Sequence, residues 1–198
     1  MTGMMLMQCL MLALLALADA MPHRRSPQAV QENSDYRVVC YFTNWAQYRQ
    51  GSAKFVASNV DPSLCTHLIF SFAKLSDSLG NRLEPYEWND ESTEWSVGNY
   101  EALNRLKADR PGLKTLLAVG GWTHGVQKFT HMAETAERRQ VFIQDAIRYV
   151  RDRNFDGLDL DWEFPGYTER GSPPEDKQRF TALVQELRAA MDAEALRE

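Results

Sequence analysis

The stretch DGLDLDWE, residues 156–163, decides the interpretation of this chain because it has the pattern of a strand that carries a row of acids. Successive side chains of a β-strand point to opposite faces, so Asp159, Asp161 and Glu163 share one face, with about 6 to 7 Å between neighbours. The opposite face carries the apolar residues of the stretch, Leu158, Leu160 and Trp162. Asp156 is out of phase, and we expect it to have a structural role in bracing the strand entry or the row.

The three aligned carboxyl groups predict acid–base chemistry. Each ionised carboxylate raises the pKa of the next, so at least one member is expected to hold a proton near neutral pH. A retained proton beside a retained negative charge suits general acid catalysis with electrostatic stabilisation. Two alternatives stay open. The row could bind a divalent metal through its oxygens, or it could be a solvated strand end, although three acids would destabilise an apolar strand that had no use for them.

Four short apolar segments predict strands, and each is followed by a longer polar or amphipathic stretch. The segments are Arg37 to Thr43, Thr66 to Ala73, Leu113 to Val119 and Phe155 to Glu163. The first three show little polar alternation, as expected of strands that are covered on both faces. This order is typical of consecutive βα units, so the predicted fold class is α/β with a parallel sheet, and such folds place active sites at the carboxyl ends of their strands.

Three helices are predicted between and after these strands. The segment Thr135 to Arg153 has apolar residues at spacings of three to five around a charged opposite face. Another helix is expected over Asn99 to Ala108, ended by Pro111-Gly112, and a third begins near Pro174. No internal repeat or interdomain linker is visible, so the residues from 36 to 198 are expected to form one domain.

The charge balance argues against two classes of partner. The 198 residues include 22 Lys and Arg against 27 Asp and Glu, which gives a net charge of -5. The chain therefore lacks the broad cationic surface that attracts nucleic acid or anionic lipid. The four His residues have no metal-ligand spacing, so the sequence predicts no metal site from them.

The first 20 residues have the pattern of a secretion signal. The run Leu6 to Ala18 is almost wholly apolar and ends in Ala18-Asp19-Ala20, a small-x-small pattern that signal peptidase could cut. A membrane anchor is the alternative, but about 20 apolar residues are needed to cross a bilayer and this run is shorter. We expect a signal peptide over residues 1–20, a flexible segment over 21–35, and a secreted, extracellular protein without a membrane segment.

Removal of such a signal would leave an even number of cysteines. Cys9 would be lost, and Cys40 and Cys65 would remain in a chain bound for an oxidising compartment. One disulfide between them is the natural inference, and two buried free thiols are the alternative. The bond would contribute about 3 kcal/mol by restricting the unfolded chain.

Five segments together carry a family resemblance. They are DGLDLDWEFPG (156–166), with the spacing Asp-x-x-Asp-x-Asp-x-Glu, then VCYFTNW (39–45), CTHLIFSFA (65–73), KTLLAVGGW (114–122) and RGSPP (170–174). In order and spacing they resemble glycoside hydrolase family 18, the chitinases and chitinase-like proteins. Two departures are visible, since Ala118 stands in the Ser-x-Gly-Gly motif and Phe164 stands where Tyr is frequent. Neither removes a catalytic group.

The resemblance implies a retaining mechanism without an enzyme nucleophile. It assigns proton donation to Glu163, orientation of the substrate's acetamido group to Asp161, and sharing of a proton or hydrogen bond with that residue to Asp159. It also implies a sugar-binding groove lined by the residues Tyr41, Trp45, Phe72, Gly121 and Trp122. For Tyr41 and Phe72, a place in the barrel core is the alternative. The substrate class it implies is chitin or chitooligosaccharide, with no cofactor and no metal.

The predicted architecture is a partial (βα)8 TIM barrel of about the first four βα units. Members of the family have eight strands, and the later ones supply further groups that hold the sugar, so residues 36–198 correspond to the N-terminal half of the catalytic domain. We expect such a chain to be weakly active or inactive alone. A non-catalytic chitin- or carbohydrate-binding protein is the alternative. Exposed sheet edges also predict self-association.

Overall fold

A parallel sheet organises the protein in a computed structural model that describes residues 36–76 and 80–196. The signal peptide and the flexible segment predicted for residues 1–35 lie outside the described residues. The strands are β1 (Val39–Thr43), β2 (His67–Leu75), β3 (Leu83–Pro85), β4 (Lys114–Gly120) and β5 (Gly157–Asp161). Four of them are parallel in the order β1-β2-β4-β5, and the short β3 pairs with β2 in the antiparallel direction.

Helices cover one face of this sheet. They are α1 (Asn99–Asn104), α2 (Leu106–Asp109), α3 (Gln127–Ala133), α4 (Ala136–Asp152) and α5 (Asp176–Ala195). The core lies between the two layers, where the ring of Phe70 in β2 packs against those of Tyr100 and Phe155. Trp162 is also buried there and stacks on Phe129 of α3 at 5.2 Å between ring centroids. The face of β5 that points toward the helices is therefore the one packed in the hydrophobic core.

The predicted α/β architecture is confirmed, and the differences are local. Each of the four predicted strands is present with ends shifted by one or two residues. The predicted helix over Thr135 to Arg153 is α4, and the hydroxyl of Thr135 caps it by accepting a hydrogen bond from the Arg138 amide. The helix predicted over Asn99 to Ala108 is divided at Arg105 into α1 and α2.

The first crossover differs from the others because it has no α-helix in the described chain. Between β1 and β2 the backbone forms four short 3-10 turns over residues 44–48, 51–53, 57–59 and 62–64. Gly51 has a φ of +54° and Pro62 opens the last turn, so neither suits the interior of a continuous helix. The expected disulfide is present, with 6.0 Å between the Cα atoms of Cys40 and Cys65, and it joins the start of β1 to the chain just before β2.

The sheet of the described residues is open, as expected for part of a (βα)8 barrel. β1 and β5 lie at its two edges, and each pairs with one neighbouring strand only within those residues. Because the four long strands are parallel, their carboxyl ends all meet at one rim. Over the same ranges, no helix combines the length and the apolar character that a membrane crossing needs.

Candidate active site

The acid row lies on the concave face of β5, at the rim where the strands end. Asp159 and Asp161 are opposite Ala118 and Gly120 of β4 in the sheet register. The hydroxyl of Tyr41, in β1 on the far side of the sheet, donates a hydrogen bond of 2.9 Å to Oδ2 of Asp159. Side chains of β1 and β5 therefore meet across the concave face.

The carboxyl groups interact with one another. Burial raises the pKa of Asp161 to about 6, and the charges of Glu163 and Asp159 and a hydrogen bond with Glu163 act in the same direction. The pKa of Tyr41 is raised to about 12, first by burial and then by its hydrogen bond to Asp159. A proton is thus bound more tightly at Asp161 than at an isolated aspartic acid, while Glu163 stays within hydrogen-bonding reach of it.

A cleft of about 510 Å³ opens beside these acids. Its lining combines two of the acids with aromatic and small polar residues, namely Asn44, Trp45, Phe72, Tyr86, Trp122, Thr123, Asp161 and Glu163. The rings of Trp45 and Phe72 stack at 5.8 Å with an angle of 12° between their planes. Flat apolar surfaces next to convergent polar groups are typical of a ligand-binding cleft, and here they suit the apolar faces of sugar rings.

Two consecutive glycines lie against Asp161 and Phe72, two of the residues that line the cleft. Gly120 and Gly121 have φ values of +118° and +85°, which residues other than glycine rarely adopt. A Cβ on Gly121 would lie 2.8 Å from the ring of Phe72, and one on Gly120 would overlap the carbonyl of Asp161. The amide of Gly121 also donates a hydrogen bond of 2.9 Å to that carbonyl. The glycines therefore let the chain turn closely around both an acid and an aromatic residue.

The structure places Asp156 away from the cleft, at the start of β5. Its carboxylate accepts hydrogen bonds from the backbone amide of Thr115 and from the ammonium groups of Lys107 and Lys114. Burial acts to raise the pKa of Asp156, but the bonds from Thr115 and Lys107 outweigh it, so the pKa lies below its ordinary value. The contacts of this residue join β5 to β4 and to α2 rather than to the acid row.

A buried polar cluster behind Trp45 is absent from the sequence-based predictions. Asp90 is fully buried, and its carboxylate accepts hydrogen bonds from the side chains of Asn44 and Asn99 and from the amide of Glu87. Burial raises the pKa of Asp90 to about 6 against the effect of these bonds. The cluster ties the end of β1 to the loop that supplies Tyr86 to the cleft. No spacing in the sequence could have linked Asn44 to a residue 46 positions away.

The five residues predicted to bind substrate all lie near the acids, but they differ in their contacts with the cleft. Trp45, Phe72 and Trp122 line the cleft, Gly121 permits the approach of Phe72, and Tyr41 contacts Asp159. Tyr86 and Thr123 also line it and have no strong sequence signal, because each lies in a loop. Of the described residues, no group of three or more His, Cys, Asp and Glu side chains is arranged to hold a metal.

Interacting carboxyl groups at the carboxyl ends of parallel strands, with an aromatic cleft beside them, are an arrangement found in glycoside hydrolases. A comparison with family models gives the particular family. The model described as "Glycosyl hydrolases family 18" matches residues 37–197, and the chain belongs to that family.

Known proteins with similar chains are longer than this one. The chain is 52% identical over 166 residues to chitotriosidase-1 of Mus musculus, covering 84% of this chain and 33% of that protein. Among solved structures it resembles a group IV chitinase of Ostrinia furnacalis in complex with allosamidin, with 37% identity, a TM-score of 0.73, and coverage of 80% of this chain and 41% of the other. The chain thus spans about a third of the length of this curated relative.

Another similar structure belongs to a pseudo-chitinase. Human YKL-39, described as a pseudo-chitinase with retained chitooligosaccharide binding properties, shares 36% identity with a TM-score of 0.68. The match covers 82% of this chain and 40% of that one. The family therefore includes proteins described as chitinases and one described as binding chitooligosaccharides.

Proposed function

We propose that this chain carries the catalytic acids of a glycosidase that hydrolyses β-1,4-linked N-acetylglucosamine polymers, with Glu163 as the proton donor. The observation that carries the proposal is the hydrogen-bonded pair of Asp161 and Glu163 at the edge of an aromatic cleft, where burial and the neighbouring acids raise the pKa of Asp161 to about 6. A general acid needs a source of protons near the working pH, and the proton held at Asp161 is within hydrogen-bonding reach of Glu163.

The reaction would proceed with help from the substrate's own acetamido group. Glu163 gives its proton to the glycosidic oxygen as the bond from that oxygen to the anomeric carbon breaks. The acetamido oxygen attacks the same carbon and forms an oxazolinium ion, whose N–H is held by Asp161. Water then attacks the anomeric carbon from the opposite side and gives a proton to Glu163, while the bond from that carbon to the acetamido oxygen breaks and restores the acetamido group. The two successive inversions retain the configuration at that carbon. Asp159, which is hydrogen-bonded to Tyr41, shares a proton or hydrogen bond with Asp161.

The aromatic residues would bind the polymer. A pyranose ring has apolar faces that stack on flat side chains. Trp122 and Trp45 are 62% and 43% exposed, so each offers ring surface to a ligand, and Phe72 supports Trp45 from beneath by stacking. Gly121 contributes by its lack of a side chain, since any Cβ would displace Phe72.

We propose that the 198-residue chain alone binds chitooligosaccharides but turns them over slowly or not at all. The cleft is bordered by the ends of β1, β2, β4 and β5 on an open sheet, so a bound sugar would touch protein on one side of the barrel axis only. The chitotriosidase and the group IV chitinase are about twice this length or longer. Residues 36–198 would then act as the N-terminal half of a catalytic domain.

A binding protein without turnover is the second candidate function. It is favoured by the similarity to a pseudo-chitinase with retained chitooligosaccharide binding. The aromatic cleft could serve that function without any acid. The presence of Glu163 beside Asp161 favours the hydrolytic function, because a binding protein has no need of a proton donor there.

We also propose that the protein is secreted after removal of residues 1–20. The apolar run and its small-x-small ending support this, as does the Cys40–Cys65 disulfide, which is typical of an oxidising compartment. Unpaired edges of β1 and β5 support self-association of such a chain.

The first prediction concerns Glu163 and is tested on the purified 198-residue chain. With protein in excess over chitohexaose, we expect slow release of shorter products, detected by mass spectrometry, with the β-anomer formed first by NMR. Glu163→Gln should lower this residual rate by about 100-fold or more, since it removes the general acid, and should leave chitohexaose affinity within a few-fold of the original.

Glu175→Gln is the matched control, because Glu175 is an exposed acid in the loop after β5 and lies outside the cleft. Its rate should equal that of the unchanged chain. Equal rates for the Glu163→Gln and unchanged chains would contradict the role of Glu163. Tight chitohexaose binding without any product from the unchanged chain would favour the binding function, and rapid turnover by a monomeric sample would contradict the proposed weak activity.

A further inference from the structure

The side chain of Arg170 lies flat against one face of the Trp122 ring. Its guanidinium carbon is 3.4 Å from the ring centroid, and Nη2 donates a hydrogen bond of 2.7 Å to the backbone carbonyl of Trp122. Nη1 is buried and has no hydrogen-bond partner in the described part of the chain, as expected for a nitrogen beside the ring. The cation thus holds both the backbone and the ring of one residue.

The loop that supplies Arg170 is itself fixed from below. The hydroxyl of Ser172 donates to Asp176 at 2.7 Å and accepts from the amide of Gly166 at 2.8 Å. Asp176 also accepts a hydrogen bond from Thr130 of α3, and both Ser172 and Asp176 are fully buried. Arg170 therefore projects from a firm frame that joins the end of β5 to α3 and α5.

This contact covers one face of the Trp122 ring, and Trp122 as a whole is still 62% exposed. The residues that line the cleft include Trp122 but not Arg170, so the cation does not itself border the cleft. A solvent-exposed indole can otherwise rotate, and fixing a rotatable side chain upon binding weakens affinity. A cation against an aromatic face supplies enough attraction to keep the ring in one orientation before any ligand arrives.

We propose that Arg170 is a positioning residue for sugar recognition, which holds Trp122 so that one face of its ring is presented to an N-acetylglucosamine chain. The proposal rests on the proposed function, since it assumes that this cleft takes chitooligosaccharides. It assigns Arg170 no contact with the sugar. The effect of Arg170 on sugar binding depends entirely on Trp122, so substitution of both residues tests the proposal.

The first experiment is a double-mutant cycle on the complete chain, with chitohexaose affinity measured by isothermal titration calorimetry. Arg170→Gln should weaken binding by about 3- to 10-fold, the range expected when one side chain must be ordered by the ligand. In a chain that already carries Trp122→Ala, the same substitution should have no further effect. Arg170→Lys, which keeps the charge but loses the flat guanidinium, should recover only part of the affinity.

The second experiment needs no ligand. A chain labelled with 5-fluorotryptophan should give five fluorine resonances, one for each Trp, and Trp122→Phe identifies the resonance of Trp122. Arg170→Gln should shift the Trp122 resonance, while the resonances of the other four Trp residues keep their positions. Arg188→Gln is the control, because Arg188 pairs with Asp192 on the exposed side of α5 and should change neither resonance nor affinity.

The outcomes separate this proposal from the proposed function. An unchanged Trp122 resonance in Arg170→Gln, or unchanged chitohexaose affinity, would overturn the positioning role. A further loss of affinity on top of Trp122→Ala would show that Arg170 acts by another route. If the unchanged chain binds no chitohexaose, the proposed function fails, and the fluorine experiment still decides whether Arg170 orders Trp122.

Discussion

Asp161 lies between two other carboxyl groups, and its protonation depends on both. Its pKa of about 6 is above the ordinary value of the unfolded chain because of burial, Glu163 and Asp159. The folded state therefore binds this proton more tightly than the unfolded state does. The resulting stabilisation is complete below about pH 4 and is lost as the pH rises through about 6.

The second prediction follows from this coupling. Glu163→Gln removes one charge and keeps the shape, so the pKa of Asp161 should fall toward its ordinary value, although burial and Asp159 will keep it elevated. A carbon-13 NMR titration of the Asp161 carboxyl measures the change. The same titration of Glu175→Gln should reproduce the original curve. An identical Asp161 titration in both variants would show that Glu163 does not influence its neighbour.

Among single residues, the acids were the most predictable and their partners the least. The two-residue period of a strand was enough to align Asp159, Asp161 and Glu163 from eight consecutive letters. The hydrogen bond from Tyr41 to Asp159 joins residues 118 positions apart, and it depends on how the whole sheet curves. The local sequence pattern contains no information about that curvature. The acid row was therefore predictable, but the hydrogen bond that Tyr41 donates to it was not.

At the level of elements, regular periodicity was sufficient for prediction and irregular backbone was not. The long helix α4 and the four parallel strands follow from the spacing of apolar residues. The 3-10 turns of the first crossover and the short β3 have no repeating pattern, because their hydrogen bonds are made one at a time. Asn44 and Tyr86, which come from such irregular segments, were missed for the same reason.

The third prediction compares two glycines with nearly the same φ. Gly112 and Gly121 have φ values of +88° and +85°, but a Cβ on Gly112 would meet no atom within 4 Å, whereas one on Gly121 would press on Phe72. Gly112→Ala should lower the free energy of unfolding by about 1 to 2 kcal/mol through backbone strain and leave chitohexaose binding unchanged.

Gly121→Ala should lower the free energy of unfolding by more than Gly112→Ala does. It should also weaken chitohexaose binding, because Phe72 and the stacked Trp45 must move. Urea unfolding and calorimetric titration give the two quantities. Equal losses of stability, with binding intact in both variants, would mean that the close approach of Phe72 to Gly121 has no part in shaping the cleft.

The molecule as a whole is an open sheet with a polar, partly aromatic concave face. β1 and β5 present unpaired backbone groups over the described chain, which favours pairing with a second copy. The division into strands and helices was predictable, as was the count of about four βα units. The contacts that cover the concave face are not made within a single βα unit. From the sequence, only self-association of the chain could therefore be expected.

The fourth prediction concerns this association. The unchanged chain should form larger species as its concentration rises in analytical ultracentrifugation. Val39→Lys should weaken association, because Val39 is an exposed residue of edge strand β1 and a lysine there opposes strand pairing. Val184→Lys adds the same charge at an exposed site on α5 and should have no effect. A monomer at all concentrations, or equal weakening by both variants, would contradict edge pairing.

The covalent link between Cys40 and Cys65 gives the two sides of the cleft unequal sensitivity to reduction. The loop that the bridge closes contains the whole first crossover, including Trp45, whereas Glu163 follows β5 and is adjacent to Trp162, which is packed in the buried core. A thiol reagent should therefore speed amide hydrogen exchange over residues 44–64 long before it does so near the acids. Loss of the bridge would leave a molecule with Glu163 in place and the segment around Trp45 loosened.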